Sequence, residues 1–384
     1  MEDVDATETC LQNLKELTGT WPPIRVGGTT RQISWRSDTR SQPRLDNLSN
    51  TVAAAKLAKS QMGTLYAIEL VFTNSDPIAN GDSWTAAADY VSEIQWQNAV
   101  CGNLSVTDLI PAGVSFGTFP MRIADLTAVE GTASIYDKDY CFHNYPQFTS
   151  TANLSSLMSH SGIESQTQPF AAEVSAAAQE GKPHVLGETN SGRFYSWYLR
   201  CDSSDLIAAT GGGGGISPTF SEALWILDYT NPAYKILGQY CWWGRYDIEA
   251  PYYGAYFVNM ALAGTDSITA LDDQTTAYAA YAIFESDAVA RVLLYNWEYY
   301  TSGTRPNQTF SLTGLSPGIV TAKRLTAPYA ASRVDYGGNP TVAGRTFVNG
   351  TCTIQGTAVE ETTTVSGGEA TFTIGASEAL LVYV

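Results

Sequence analysis

Glu188 stands where a catalytic carboxylate is wanted. It follows the short apolar run His184-Val-Leu186 and is flanked by Gly187 and by polar Thr189 and Asn190. A carboxylate at the C-terminal end of a buried parallel strand faces a cleft built by loops, where it can attack a carbon centre or move a proton. The plainer reading is a strand-end glutamate that hydrogen-bonds a loop. Further on, Trp242-Trp243-Gly244-Arg245-Tyr246-Asp247, then Tyr252, Tyr253, Tyr256 and Phe257, concentrate rings and a guanidinium. Such a group suits stacking on sugar faces and holding a carboxylate, and it equally suits an aromatic seam between two packed domains. His143-Asn-Tyr145-Pro146 ends a strand-like stretch from Ser134 to Phe142 and offers an imidazole and a phenol, for a substrate hydroxyl or for packing.

Other chemistries fail on spacing. His143, His160 and His184 are the three histidines, and they form no spaced metal triad; His184, inside a strand, reads as a core residue. Gly211 to Gly215 is followed by no Lys-Ser or Lys-Thr, so it lacks the lysine of a phosphate loop. Instead Ser217-Pro218-Thr219 opens a helix with Thr219 and Glu222 at capping-box spacing and Trp225 and Tyr229 on an apolar face. No nucleophile elbow of GxSxG type is present. The six cysteines are dispersed without a CxxC pair, which removes zinc and thioredoxin-type readings and leaves one or two disulfides of undetermined pairing.

The elements that would carry these residues change character near Asp266. Before it, helix and strand patterns alternate: Thr9 to Leu17 a helix, Ile24 to Val26 a strand, Leu65 to Leu70 a strand, Trp84 to Trp96 a helix, Phe170 to Gln179 a helix, His184 to Leu186 a strand. Alternation of this kind implies parallel strands with helical crossovers. After Asp266, Ala288 to Tyr295, Gln308 to Leu312, Ile319 to Leu325, Ala370 to Ile374 and Ala379 to Val384 are short runs divided by turn residues, the pattern of an antiparallel sandwich. The predicted division is a catalytic domain over 1–265 and a β-sandwich over 266–384. At 384 residues two domains are the natural prior.

Charge narrows the partners. Lys+Arg 21 against Asp+Glu 38 leaves a formal net charge of −17, which repels nucleic acid and anionic membrane surfaces, and no window is apolar for long enough to span a bilayer. The acidic start Met1-Glu2-Asp3-Val4-Asp5 is not a secretory signal, yet sequons at Asn47, Asn103, Asn153, Asn307 and Asn349 and a scarcity of lysine look extracellular. The expectation is export, with the leader outside this chain.

Five blocks, Pro23-Ile-Arg-Val-Gly-Gly-Thr-Thr30, Tyr66-Ala-Ile-Glu-Leu70, Ser75-Asp-Pro-Ile78, Gly187-Glu-Thr-Asn-Ser191 and Tyr240-Cys-Trp-Trp-Gly-Arg-Tyr-Asp247, together resemble glycoside hydrolase family 79, especially its fungal members. The family contains β-glucuronidases and heparanases, and the resemblance runs from about Cys10 to Val384. It implies a (β/α)8 barrel of the large retaining-glycosidase clan followed by a β-sandwich, no cofactor, secretion, and a glycan substrate ending in a glucuronosyl residue. Glu188 falls on the nucleophile position. Arg25, His143, Tyr145, Asn190, Trp242, Trp243, Arg245 and Tyr246 are the candidates to bind the substrate.

The departures from the family pattern are specific. There, the strand matching Tyr66 to Leu70 continues into Gly-Asn-Glu-Pro, whose glutamate is the general acid/base; here Leu70 is followed by Val71-Phe-Thr73-Asn74. Without a gap the acid's place falls on Thr73, whose hydroxyl cannot protonate a leaving group. Glu69 is the nearest carboxylate, and reaching that place requires a register shift that turns the strand's faces over. Gly192 to Thr210 reads as an insertion, Thr230 to Gln239 is short for the loop and eighth strand, and the first barrel strand and leading sandwich strand would precede Met1. An incomplete barrel is the expectation. The alternatives to a working hydrolase are a non-catalytic carbohydrate binder and a chain without molecular function.

Overall fold

A computed structural model describes residues 5–22, 25–26, 67–68, 90–91, 94–95, 97–98, 101–102, 107–116, 122–144, 147, 153–189, 219–229, 235–236 and 248–384. After helix α1 (Asp5–Thr18), strands β1 (Arg25–Val26) and β2 (Ala67–Ile68) pair in parallel. Strands β3 (Ile110–Phe116), β4 (Asp137–Asn144), β5 (His184–Thr189) and β6 (Lys235–Ile236) form a second parallel sheet in unbroken chain order. Parallel neighbours need crossovers. Helix α2 (Ile123–Glu130) lies between β3 and β4 in the chain, α3 (Leu154–Leu157), α4 (His160–Thr167) and α5 (Ala171–Gln179) between β4 and β5, and α6 (Phe220–Tyr229) between β5 and β6. Strand after strand laid down in chain order with helical returns is how a barrel wall is wound.

Local chemistry sets these boundaries. Asn153 caps α3 by accepting from the Ser156 N–H at 2.8 Å, and Ser159 caps α4 by accepting from the Gly162 N–H at 3.1 Å. The strand expected from Ser134 begins only at Asp137, because Gly131–Tyr136 winds as a 3₁₀ turn. Helix α6 was expected to be amphipathic, but residues 220 to 228 are all buried. The reason is α7 (Ala250–Leu262), which covers α6 so closely that a Cβ on Gly254 would sit 2.4 Å from the Ala223 carbonyl oxygen. Helix propensity favours alanine over glycine by about 1 kcal/mol, whereas overpacking against backbone, which cannot rotate away, costs about 1–3 kcal/mol. Gly254→Ala is therefore expected to lower the urea midpoint, and an unchanged or higher midpoint would show that α6 and α7 are less tightly packed than this.

Beyond Asp266 the regular elements are strands apart from a single 3₁₀ turn at Val334–Tyr336. In chain order they are β7 (Ser267–Ala270), β8 (Tyr278–Glu285), β9 (Ala288–Asn296), β10 (Asn307–Thr313), β11 (Ile319–Thr326), β12 (Thr341–Val342), β13 (Thr346–Phe347), β14 (Ile354–Gln355), β15 (Glu361–Thr364), β16 (Glu369–Gly375) and β17 (Glu378–Tyr383). A seven-stranded sheet runs β12-β11-β17-β9-β8-β7 with β15 also on β11, and β10 pairs β16 separately. The central strands are covered on both faces. Val292, Leu294, Leu380 and Val382 pack with Phe372 and Ile374 of β16, while Leu293, Tyr295, Ala379 and Leu381 join the core that holds Trp225 and Tyr253 of the helices. Double burial explains why Val292 to Tyr295 and Ala379 to Val382 are unbroken apolar runs.

The same seam decides the role of the aromatic stretch. Tyr252, Tyr253, Tyr256 and Phe257 lie on α7, all buried, and Phe347 packs edge-to-face with the Tyr252, Tyr253 and Tyr256 rings at centroid distances of 4.8, 4.8 and 5.0 Å. The Phe347 N–H donates to Tyr253 Oη at 3.1 Å. These four rings join helix to sandwich and cannot stack on sugars. Cys10 of α1 is disulfide-bonded to Cys352 across 342 residues of sequence, a closure worth on the order of 5 kcal/mol in the chain-entropy account.

Candidate active site

At the C-terminal ends of the central parallel strands, the backbones of Phe116, His143 and Glu188 lie abreast. Phe116 is in register with His143 and His143 with Glu188, followed by Asn144 with Thr189, after a register shift between Phe142 and His143. Two candidates read from sequence thus share one edge of the sheet, on the side where catalytic groups of such barrels gather. The side chains of Arg25, His143 and Glu188 lie outside the described residues, as do Glu69, Thr73, Tyr145, Asn190, Trp242, Trp243, Arg245 and Tyr246 in full. The segments on which an incomplete barrel was expected, Gly192 to Thr210 and Thr230 to Gln239, lie outside them too, save Lys235 and Ile236.

The opposite ends of the same strands carry structural groups. His184 opens β5 buried, stacked on Phe142 with centroids 5.2 Å apart, and burial pushes its pKa down to about 4, so it is a neutral core residue at neutral pH. Gln97 Nε2 donates to Asp137 Oδ1 at 2.7 Å, and Lys182 Nζ donates to the Ser134 carbonyl at 2.7 Å and to the Asp137 carbonyl. Polar groups fixed at this face hold the barrel wall rather than meet substrate. Burial first, and the Asp137 charge second, push the Cys101 thiol up to about 12, which leaves it an unreactive thiol.

One constellation escaped the sequence reading. His160, at the start of α4, places Nδ1 2.7 Å from Asp228 Oδ2 of α6 and Nε2 3.0 Å from Asp272 Oδ1 in the β7–β8 turn. Tyr281 Oη of β8 donates to the other Asp228 oxygen. This cluster ties two helices to the sandwich. Among the described residues no group of His, Cys, Asp and Glu is arranged to hold a metal ion, and no helix is long and apolar enough to cross a membrane.

Comparison with known proteins converges on one family. Residues 280–381 match the glycosyl hydrolase family 79 C-terminal beta domain. No curated protein matches. The crystal structure of a 4-O-α-L-rhamnosyl-β-D-glucuronidase from Fusarium oxysporum 12S, in complex with Rha-GlcA, is 52% identical, covers 100% of this chain and 92% of that one, and superposes with a TM-score of 0.84. A bifunctional glucanase-xylanase from a metagenome library is 13% identical over 87% of this chain and 68% of its own, with a TM-score of 0.53. A family 51 α-L-arabinofuranosidase from Bifidobacterium longum is 11% identical over 98% of this chain and 89% of its own, also with a TM-score of 0.53. At such low identity these two speak for the fold alone, a TIM barrel with a C-terminal β domain. The near full-length likeness to the Fusarium enzyme and the match of the β domain carry the assignment: the chain is a glycoside hydrolase and belongs to family 79.

Proposed function

We propose that this chain is a secreted, retaining hydrolase of β-D-glucuronides, with Glu188 as its nucleophile. The observation that carries the reading is the 52% identity to an enzyme named for cleaving a rhamnosyl-capped glucuronide. In a retaining mechanism Glu188 attacks the anomeric carbon as the glycosidic oxygen leaves with its bonding pair and takes a proton from solvent, forming a glycosyl ester that water then hydrolyses to free Glu188. The backbone of His143 lies in register with that of Glu188 on the neighbouring strand. With a net charge of −17 a long sulfated polyanion is repelled, so a terminal glucuronosyl residue, free or rhamnose-capped, is the expected substrate rather than a heparin-like chain. Export is supported by the Cys10–Cys352 disulfide and by the exposed sequon asparagines Asn153, Asn307 and Asn349.

The test is to trap the ester. A slow-reacting fluorinated glucuronide is expected to label Glu188, located by peptide mass spectrometry. Label on Glu164, Glu173 or Glu222, with Glu188 unmodified, would remove the assignment. A second reading, a carbohydrate binder without turnover, is favoured by the absence of Gly-Asn-Glu-Pro after Leu70; it requires glucuronide binding with no label and no product.

A further inference from the structure

Two exposed tyrosines, Tyr329 and Tyr336, flank the sandwich segment that meets the start of α6. Tyr329 and Tyr336 are 46% and 70% exposed, yet neither sits on a slack loop. Tyr329 lies against Tyr300 with centroids 5.8 Å apart, and Arg305 lies 4.6 Å from the Tyr300 centroid. Arg333 lies 4.4 Å from the Tyr336 centroid and is held by Asp335 through Nε at 2.9 Å. The backbone is pinned as well. The Ala330 N–H donates to the Tyr300 carbonyl at 2.8 Å and the Tyr329 N–H to Ser332 Oγ at 2.7 Å. Immobilising side chains without burying them costs entropy and returns little stability, so two exposed rings, each held by a neighbour, are suited to meeting a ligand.

The place of the two rings points to which ligand. The first turn of α6 donates its otherwise unpaired N–H groups into this loop: Phe220 to the Ser332 carbonyl at 2.9 Å and Ser221 to the Ala330 carbonyl at 2.8 Å. Only a short link separates the end of α6 at Tyr229 from the start of β6 at Lys235, a strand parallel to β5, so α6 delivers the chain to the N-terminal end of the strands and runs towards it from their C-terminal ends. Its first turn is therefore on the Glu188 side of the barrel. The charges around the rings are already balanced, Arg333 by Asp335 and Arg305 by Glu378. Flat rings framed by hydroxyl and paired charge suit a neutral sugar better than a polyanion or an apolar protein surface.

We infer that Tyr329 and Tyr336 form a sugar-stacking subsite on the sandwich that holds neutral sugars of the leaving-group side of a glucuronosyl-terminated glycan. The inference rests on the glucuronide reading above and extends it to the rest of the substrate. Two stacking rings are worth about tenfold in affinity. In the Tyr329→Ala/Tyr336→Ala variant the ratio of kcat/KM for a glucuronosyl-terminated neutral oligosaccharide to kcat/KM for an aryl glucuronide is expected to fall by that factor, while Tyr329→Phe/Tyr336→Phe keeps the wild-type ratio. The same tenfold loss is expected when the oligosaccharide is titrated calorimetrically into Glu188→Gln with and without the two alanines. An unchanged ratio, an equal loss on both substrates, or phenylalanine variants as impaired as the alanines would overturn the subsite. Should the wild-type chain turn over neither substrate, the glucuronidase reading fails, and the titration alone decides the subsite: no binding, or binding that the alanines leave unchanged, overturns it.

Discussion

An aryl β-glucuronide with an acidic phenol is expected to be turned over, slowly, while an alkyl or sugar glucuronide is cleaved about 10²–10⁴-fold less efficiently than by a complete retaining enzyme, the contribution that general acid catalysis makes. The reason lies in the residues after Leu70. Where the family carries Gly-Asn-Glu-Pro, this chain has Val71-Phe-Thr73-Asn74. With Thr73 in the acid's place, as the alignment without a gap has it, the hydroxyl has no proton to give near neutrality, and a poor leaving group such as a sugar alkoxide would depart unassisted. A phenolate needs little help. On that alignment the carboxylate that activates water in the second step is lacking too, so added azide, a nucleophile that needs no base, is expected to accelerate release of the activated phenol and to yield a glucuronosyl azide of retained configuration. Inserting Gly-Asn-Glu-Pro after Leu70 is expected to restore cleavage of the alkyl glucuronide and to abolish the azide effect. Strong cleavage of the alkyl substrate by the unaltered chain would mean that another carboxylate, Glu69 or Asp76 being nearest in sequence, serves as the acid.

What the sequence disclosed depended on contrast along the chain. Strand β5 stands out because an apolar run is bracketed by Pro183 and Gly187, and the sandwich strands from Ala288 onward because Val- and Thr-rich runs alternate with turn residues. Strand β8, Tyr-Ala-Ala-Tyr-Ala-Ile-Phe-Glu, carries too much alanine to announce itself, and becomes a strand by pairing with β9 along its length. Helix α7 has apolar residues all round, so its sequence shows no face and its tyrosines suit a sugar site as well as a seam; Phe347, packed among them, makes them a seam. The ordering of Glu188 on a strand end was local information. The pairing of Cys10 with Cys352 and the gathering of His160 with residues 68 and 112 positions away were not, since only the tertiary fold brings them together.

Replacing His160 by glutamine is expected to cost about 3–5 kcal/mol near pH 6, the price of leaving buried carboxylates without their cation. Both ring nitrogens face carboxylate oxygens, so both must donate, and only the imidazolium can do that. Burial alone would lower the His160 pKa; the hydrogen bonds to Asp228 and Asp272, with the charges of both, override it and raise the value from 6.5 to about 10. For Asp272, burial pulls upward, but the His160 hydrogen bond and the N–H groups of Ala280 and Gln274 outweigh it and hold the carboxyl below its usual 3.8. Burial first and the Asp228 charge second keep the Tyr281 phenol protonated, so that it donates throughout. The sign follows from proton binding. The native state holds the His160 proton more tightly than the unfolded chain, so the stabilisation is complete below about pH 6.5 and drains away as pH rises toward 10. At the acid end Asp272 acts oppositely, its contribution fading as pH falls through the carboxylate range. Urea melts of the wild type and His160→Gln are therefore expected to differ most between about pH 4 and 6.5 and to converge at alkaline pH. Equal midpoints near pH 6, or a gap that does not narrow with rising pH, would show that the imidazole is neutral in place and that the union of α4 and α6 with the β7–β8 turn rests on packing rather than on charge.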